Sequence, residues 1–562
     1  MEARWVPTGA ALLALLAFAP ALTGGFSYDD LEAIRGNPVI EGSAPWWTAF
    51  TRDYWEHLGA AGHWRPAATL SLRLVHGLCG ESAPAQHAAS VLLHGCAAAL
   101  LAGLLLRLGV GTALAGLAAA LFAAHPALAD GVAWISGRSS PVSALGGLVG
   151  LHLVLCARTA RTVALAAALA VLLAALGKED GLTFAPVAVL LAARQGQVRA
   201  GLLGVLLGGV AWAALRLATY GEALPSAPGS PLASLGLWDR EALGGWAWLG
   251  GLRALLVPIG LVPGRAPLAV EAWAKAWPVA GVLVAHALPL LGLTLSWRAL
   301  AGPRSQSLAA ASVGCACLAT LPTLQLIPAG EVFATRFLYL PLLFAAPALG
   351  MALARLGTAP RRITAPRRIT APRLILLAAL VPLSWRASAP YASREAYWQA
   401  RMAAEPEDAR AWNALGNAAL ELGDEAAAEA RFLRAVELDP SYSRPRVNLG
   451  VLLVQRGELQ QAEAVLAEAC ARGPRNPVAH QNHGAVLLRL ERWERAAEAY
   501  GRATELAPGA VAAWRGLARA RQSLGQPKTA RAALERALAL DPRDTRSLAL
   551  LEQLEGSPLQ EP

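Results

Sequence analysis

Five short polar segments interrupt an otherwise apolar chain: Phe26-Ser27-Tyr28-Asp29-Asp30, His63-Trp64-Arg65-Pro66, His125-Pro126 with Arg138, Lys178-Glu179-Asp180, and Glu331 with Arg336. Ionisable groups at membrane depth are costly to place there and are functional candidates by default. Two adjacent carboxylates beside several cations suit one kind of reaction. A base deprotonates an acceptor while arginine or lysine holds a phosphate leaving group. The plain alternative for each segment is a capped helix end, or a long side chain snorkelling to the interface. For Asp29 and Asp30 that alternative is the N-cap of the following LEAIRG helix, which needs only one of the two.

The chain around these segments has 562 residues, 55% of them apolar and 16% charged. A single soluble core stops growing near ~250–300 residues, and soluble domains carry roughly a quarter of their residues as charges. The excess of apolar residues points to membrane. Six cysteines sit mostly inside apolar runs and read as small hydrophobes. No CxxC or Cys/His cluster suggests a metal, and the need for a divalent cation stays open. Residues up to 390 hold 27 basic and 16 acidic groups, those after it 22 and 23, so the net +10 belongs to the first part. A nucleic-acid partner would need a basic soluble face, and the soluble part is neutral.

Apolar stretches suited to crossing about 30 Å of hydrocarbon recur through the first part. They fall at 6–23, 86–106, 108–124, 141–157, 162–177, 181–194, 200–218, 277–296, 306–326, 338–356 and 373–389. A further patch, 243–263, is broken by Gly, Pro and Arg253 and reads as interfacial or re-entrant. With the N-terminus inside, the inner loops hold 14 basic residues against Glu2 alone, the sense of the positive-inside rule. The repeat APRRITAPRRITAPR (359–373) then lies inside, where its arginines can meet anionic membrane lipid. Eleven spans put residues 391–562, and all five polar segments, on the outer side. Ala19-Pro20-Ala21 also resembles a cleavage site, so the first stretch has a signal-peptide reading.

Beyond residue 390 prolines stand at 406, 440, 474, 508 and 542, each 34 residues after the last. Small residues keep the same register: Gly416, Gly450, Gly484 and Ala518, then Ala428, Ala462, Ala496 and Ala530. Small residues let paired helices approach, and proline ends the second helix of each pair. This pattern resembles the tetratricopeptide repeat. Four repeats (407–440, 441–474, 475–508, 509–542) follow a linker at 391–406, with 543–556 as a capping helix. Such arrays bind partners in a concave groove. Trp412, Tyr442, His480, His483, Trp493 and Trp514 are candidates to line it, with packing between repeats as the alternative.

FSYDDLEAIRGNPVI, HWRPAATLSLRL, HAASVLLH, HPALADGVAWISGR, GKEDG and RFLYLP occur in the order seen in the transmembrane-and-tetratricopeptide-repeat family. That family resembles the protein O-mannosyltransferases, multi-span glycosyltransferases of the GT-C type. The resemblance implies an all-α chain: a polytopic GT-C-like domain over 1–390, then an α-solenoid over 407–562. It implies transfer of mannose or a similar hexose from a polyprenyl-phosphate donor to an acceptor. The acceptor would be protein Ser/Thr or a glycan held by the repeats, on the non-cytoplasmic face of a bacterial inner membrane. It implies Asp29 as general base and Asp30 as the group orienting acceptor or cation. Arg138, Lys178 and Arg65 would hold the donor phosphate, with His63, His125 and Arg336 as further candidates. The competing readings are a membrane-anchored repeat scaffold without catalysis and an O-antigen-ligase-like or polymerase enzyme. Ligase-like chains place their key groups in a long late outer loop, whereas here the long outer loop is the first (24–85).

Overall fold

The computed structural model describes residues 3–55, 63–220, 235–263, 270–301, 304–321, 334–355 and 371–556. The structure is 81% helical with no strands among the described residues, an all-α architecture. It divides into two compact units, Met1–Tyr397 and Trp398–Pro562.

In the first unit each of the eleven apolar stretches named above overlaps a helix over its described residues. Among the described residues seven helical segments are long and apolar enough to cross a membrane: Ala83–Arg107, Ser136–Cys156, Ala160–Gly177, Val198–Tyr220, Pro278–Ala299, Thr335–Arg355 and Arg373–Ala392. Thr112–Ala123 with Pro126–Val132, bent by 49°, makes an eighth if the pair is one span. Among the described residues, seven or eight of the expected eleven therefore meet the length and composition of a span. The reason is helix length. Trp5–Ala17, Phe184–Arg194 and Arg304–Leu318 have 13, 11 and 15 residues. At ~1.5 Å per residue these fall short of ~30 Å. The bend in the eighth comes at His125-Pro126, where proline lacks the N–H that a continuous helix would need. The 243–263 patch is helix over Leu237–Leu256 and then irregular. Most of the arginine-rich repeat, and Glu331, lie outside the described residues.

Three of the spans pack through glycines. A Cβ on Gly150 would sit 2.2 Å from the Ala170 Cα. On Gly204 and Gly208 it would meet the carbonyl oxygens of Ala164 and Ala168 at 2.2 and 2.5 Å. Gly146/Gly150 and Gly204/Gly208 are both small-xxx-small pairs, the spacing that brings helix backbones together where lipid offers no hydrophobic drive. Ser136–Cys156 and Ala160–Gly177 run antiparallel, and Val198–Tyr220 runs parallel to the second after Phe184–Arg194 has brought the chain back, so the chain returns repeatedly to the same end of the bundle. There the connections are tight turns rather than long loops: 3-10 turns at Pro126–Leu128, Ser136–Arg138, Glu179–Thr183 and Thr335–Leu338. Together with the segment between Phe18 and Arg65, these turns carry the polar residues.

In the second unit the 34-residue period reappears as helix pairs. First helices begin at Ala409, Ser443, Pro477 and Val511, and the closing helix Thr545–Gly556 keeps the spacing. Each is followed by a partner: Glu425–Leu438, Leu459–Arg472, Trp493–Leu506 and Pro527–Leu540. A Cβ on Gly416, Gly450 or Gly484 would strike Phe432, Leu466 or Tyr500 at 2.4, 2.5 and 2.8 Å. A second periodic device closes the loops. Trp412 Nε1, Arg446 Nη1, His480 Nε2 and Trp514 Nε1 each reach the carbonyl of the proline six residues earlier, at 2.8, 3.0, 3.2 and 2.8 Å. Carbonyls at helix ends have no partner inside the helix, so a side-chain donor there satisfies a group that would otherwise need water. The segment 391–406, expected as a linker, is largely the helix Arg394–Ala404.

Candidate active site

Asp29 occupies the N-cap position of the short helix Asp30–Ile34, yet its side chain makes no capping bond. Instead Oδ1 accepts a hydrogen bond from the indole Nε1 of Trp134 at 3.1 Å. The turn before it is forced: Tyr28 adopts φ 43°, left-handed backbone that costs a non-glycine residue about 1–2 kcal/mol. The aromatic ring repays that strain by stacking on Tyr397 at 4.8 Å and meeting Trp134 edge-on at 5.8 Å. The half-buried Asp29 carboxyl thus points at an aromatic wall rather than along its own helix.

Asp30 is fully buried and does the bracing. Its Oδ2 accepts from the Ser27 N–H at 3.0 Å and the Ser27 hydroxyl at 2.9 Å, and its Oδ1 from the Ser136 N–H at 2.9 Å. One carboxylate therefore ties the Tyr28–Asp29 turn to the turn after Trp134. Three of its roughly four acceptor sites are taken up in this way.

Electrostatics separate the two acids from the ordinary case. Burial pushes the Asp29 carboxyl up to about 8, and Asp30 beside it pushes the same way, while Arg336 and the Trp134 N–H pull back. Burial also raises Asp30, against the bonds from Ser27 and Ser136. Arg336 lies over the Trp134 ring at 5.0 Å and over Phe337 at 5.3 Å, cation–π contacts that hold it on the wall facing Asp29. Its backbone N–H is fixed by the buried Asp130, at 3.2 Å from Oδ2.

The turn after Ala160–Gly177 brings in the other cations. Lys178 Nζ is 2.8 Å from Asp180 Oδ2, 3.3 Å from the Ser140 hydroxyl, and 5.3 Å from the Phe337 ring. Arg65 meets Glu179 with Nη2 3.1 Å from Oε1. Burial opposes ionisation of Glu179, but the Arg65 guanidinium outweighs it and holds the carboxyl well below its usual range. Burial, with Arg65 alongside, holds His63 down at about 4, a neutral imidazole whose buried Nδ1 has no hydrogen-bond partner among the described residues.

Asp29, Arg336, Lys178, Arg65 and His63 therefore share one polar end of the bundle. Two expected members do not join them. Arg138 is 1% exposed; its Nε donates to the Ser90 hydroxyl at 3.0 Å, and Nη1 and Nη2 donate to the carbonyls of Ser71 and Gln86. Those bonds lock helix to helix and engage all three guanidinium nitrogens. His125 accepts from the Ala127 N–H through Nδ1 at 3.2 Å and meets the Leu255 carbonyl through Nε2 at 3.0 Å, so both ring nitrogens are used by backbone. Sequence reasoning passes over Trp134 and Glu179. The trace of Trp134 is an indole inside HPALADGVAWISGR; Glu179 is visible only as part of a charged triplet. Among the described residues no group of three His, Cys, Asp or Glu could hold a metal ion.

In the repeats, Trp412, His480 and Trp514 are spent on the proline carbonyls, which favours packing over groove lining. Three family models, each described as tetratricopeptide repeat, match residues 385–443, 419–482 and 484–555. The chain carries these repeats. It is similar to protein O-mannosyl-transferase Tmtc2 of Drosophila melanogaster, 39% identical over 133 residues, 23% of this chain and 14% of that protein. It is similar to the human protein O-mannosyl-transferase TMTC2, 35% identical over 146 residues, 25% of this chain and 17% of that protein. These matches fall on the repeat region, and they span well under a third of the relatives' own length. Among solved structures, MamA from Desulfovibrio magneticus RS-1 is 21% identical with a TM-score of 0.25, over 26% of this chain and 84% of that one.

Proposed function

We propose that the chain is a membrane glycosyltransferase of the O-mannosyltransferase kind. It moves a hexose, mannose or a close relative, from a polyprenyl-phosphate donor to a protein Ser/Thr hydroxyl on the non-cytoplasmic face, and the repeats hold the acceptor. The names of the repeat-region relatives support the reaction class. The observation that carries the residue assignment is Asp29: a carboxyl aimed at an aromatic wall, not capping its helix, with its proton affinity raised to about 8. A base works best when its pKa lies near the working pH, and burial has moved this one there.

The acceptor hydroxyl gives its proton to Asp29 as its oxygen bonds to the anomeric carbon. The bond from that carbon to the phosphate oxygen breaks, and the electron pair leaves with the lipid phosphate. Arg336, whose charge already acts on Asp29, meets the developing phosphate charge, with Lys178 and Arg65 at the same polar end. Asp30 acts through its neighbours and positions the Asp29 turn.

The test is transfer from a polyprenyl-phosphate mannose to a serine peptide by the purified chain in lipid nanodiscs, read by glycopeptide mass. Asp29→Asn keeps size and polarity and should lower turnover by roughly 10²–10⁴-fold. Full turnover in Asp29→Asn, at normal membrane abundance, would overturn the assignment.

A further inference from the structure

The charges of the repeat unit are sorted by helix. The four first helices, Ala409–Glu421, Ser443–Gln455, Pro477–Arg489 and Val511–Ser523, hold seven arginines and one acid, Glu421. Their partners mix nine acids with eight bases, several in pairs such as Arg434–Glu437, Arg502–Glu505 and Arg531–Glu535. A unit that is neutral as a whole therefore has one strongly basic set of helices.

That set opens into a groove of about 580 Å³ at the third and fourth repeats. Arg515, Arg519 and Arg546 line it with Gln481 and Asn482, over a floor that includes Tyr500 and Leu550, and no carboxylate is among its walls. Arg515 is tied to Asp544 at 2.7 Å. Arg519 and Arg546 are exposed and have no carboxylate partner among the described residues. We infer that this groove binds an extended acidic stretch of polypeptide. This deepens the reading above, in which the repeats hold the acceptor, and rests on it for the link to transfer. Two unmatched guanidinium groups supply the forks that carboxylates fit in pairs. The side-chain amides of Gln481 and Asn482 suit a peptide backbone, and the half-buried Leu550 in the floor accepts an apolar side chain. A nucleic acid would want a long basic track with stacked aromatics, whereas this groove is short and its one aromatic is buried beneath Gly484 and Gly516.

The probe is a fluorescent twelve-residue peptide alternating glutamate with serine, titrated against the full chain in zwitterionic nanodiscs. The same peptide with glutamine for glutamate, and a single-stranded oligothymidylate, are run beside it. The glutamate peptide should bind at least tenfold tighter than the glutamine peptide and weaken with salt. Arg519→Glu with Arg546→Glu should weaken it by about tenfold or more. Arg531→Glu, a reversal outside the groove, should change it less than twofold. Equal binding of both peptides, indifference to the groove reversals, or oligothymidylate binding as tightly as the glutamate peptide would each overturn the inference. The titration needs no sugar donor, so it is independent of catalysis. Transfer without any preference for acidic acceptors sinks the groove alone, and acidic-peptide binding by a chain that transfers nothing sinks the enzymatic reading alone.

Discussion

At the scale of single residues, the site separates two neighbouring aspartates by what surrounds them. Asp30 is satisfied on both oxygens by Ser27 and Ser136, whereas Asp29 has one bond, from Trp134. That bond stabilises the ionised carboxylate, so removing it raises the pKa further. Trp134→Phe should shift the acid limb of the kcat/KM profile upward by about one pH unit, the equivalent of ~1.4 kcal/mol, from its starting point near 8. The sign is fixed by the base having to be deprotonated: at any pH below the limb, the variant is slower. A profile that does not move, measured from pH 6 to 10, would remove Trp134 from the base's environment. The Asp-Asp pair and its cations are legible in the sequence because unlike charges in an apolar chain are conspicuous. What is not legible is direction. Arg138 and Lys178 look equivalent as letters, but one is turned into a lattice of carbonyls and the other toward the site. Three-dimensional packing alone distinguishes them.

At the scale of elements, glycine does most of the positioning. The repeat pairs close because Gly416, Gly450 and Gly484 leave room for Phe432, Leu466 and Tyr500 sixteen residues later. Gly450→Ala would put a methyl 2.5 Å from Leu466 Cγ and should destabilise the unit by about 1–3 kcal/mol. Because the clash is with one side chain, Leu466→Ala should cost less in the Gly450→Ala background than alone. A double-mutant cycle of thermal unfolding that came out additive would mean the two positions are not coupled. The repeat helices follow the sequence closely because a strict period fixes start, stop and facing side chains together. The membrane helices do so less well. Apolar letters mark where a helix lies in lipid or core but not where it breaks, so Thr112–Ala123 and Phe184–Arg194 read as spans although they are 12 and 11 residues long.

At the scale of the whole molecule, the uneven distribution of charge governs which way the chain threads. The +11 of the first 390 residues sits largely beside alternate ends of its helices, while the repeats are near neutral at −1. The proposed function needs the repeats on the non-cytoplasmic side, which an N-terminus inside and an odd number of crossings would give. A phosphatase reporter that works only outside the cytoplasm, fused after Pro562, should be active, and activity only from a cytoplasmic reporter would overturn that threading. The repeats themselves carry a further consequence. Each turn between repeats is closed by a donor only six residues from the proline it serves, as with Trp412 and Pro406 or Trp514 and Pro508. A 34-residue block cut out or copied in register thus takes its own loop closure with it, leaving no orphaned carbonyl at the seam. Array length is then a quantity that duplication and deletion can adjust freely, as beads are added to a string. The length of the repeat array could change from one descendant to the next without any redesign of the first unit.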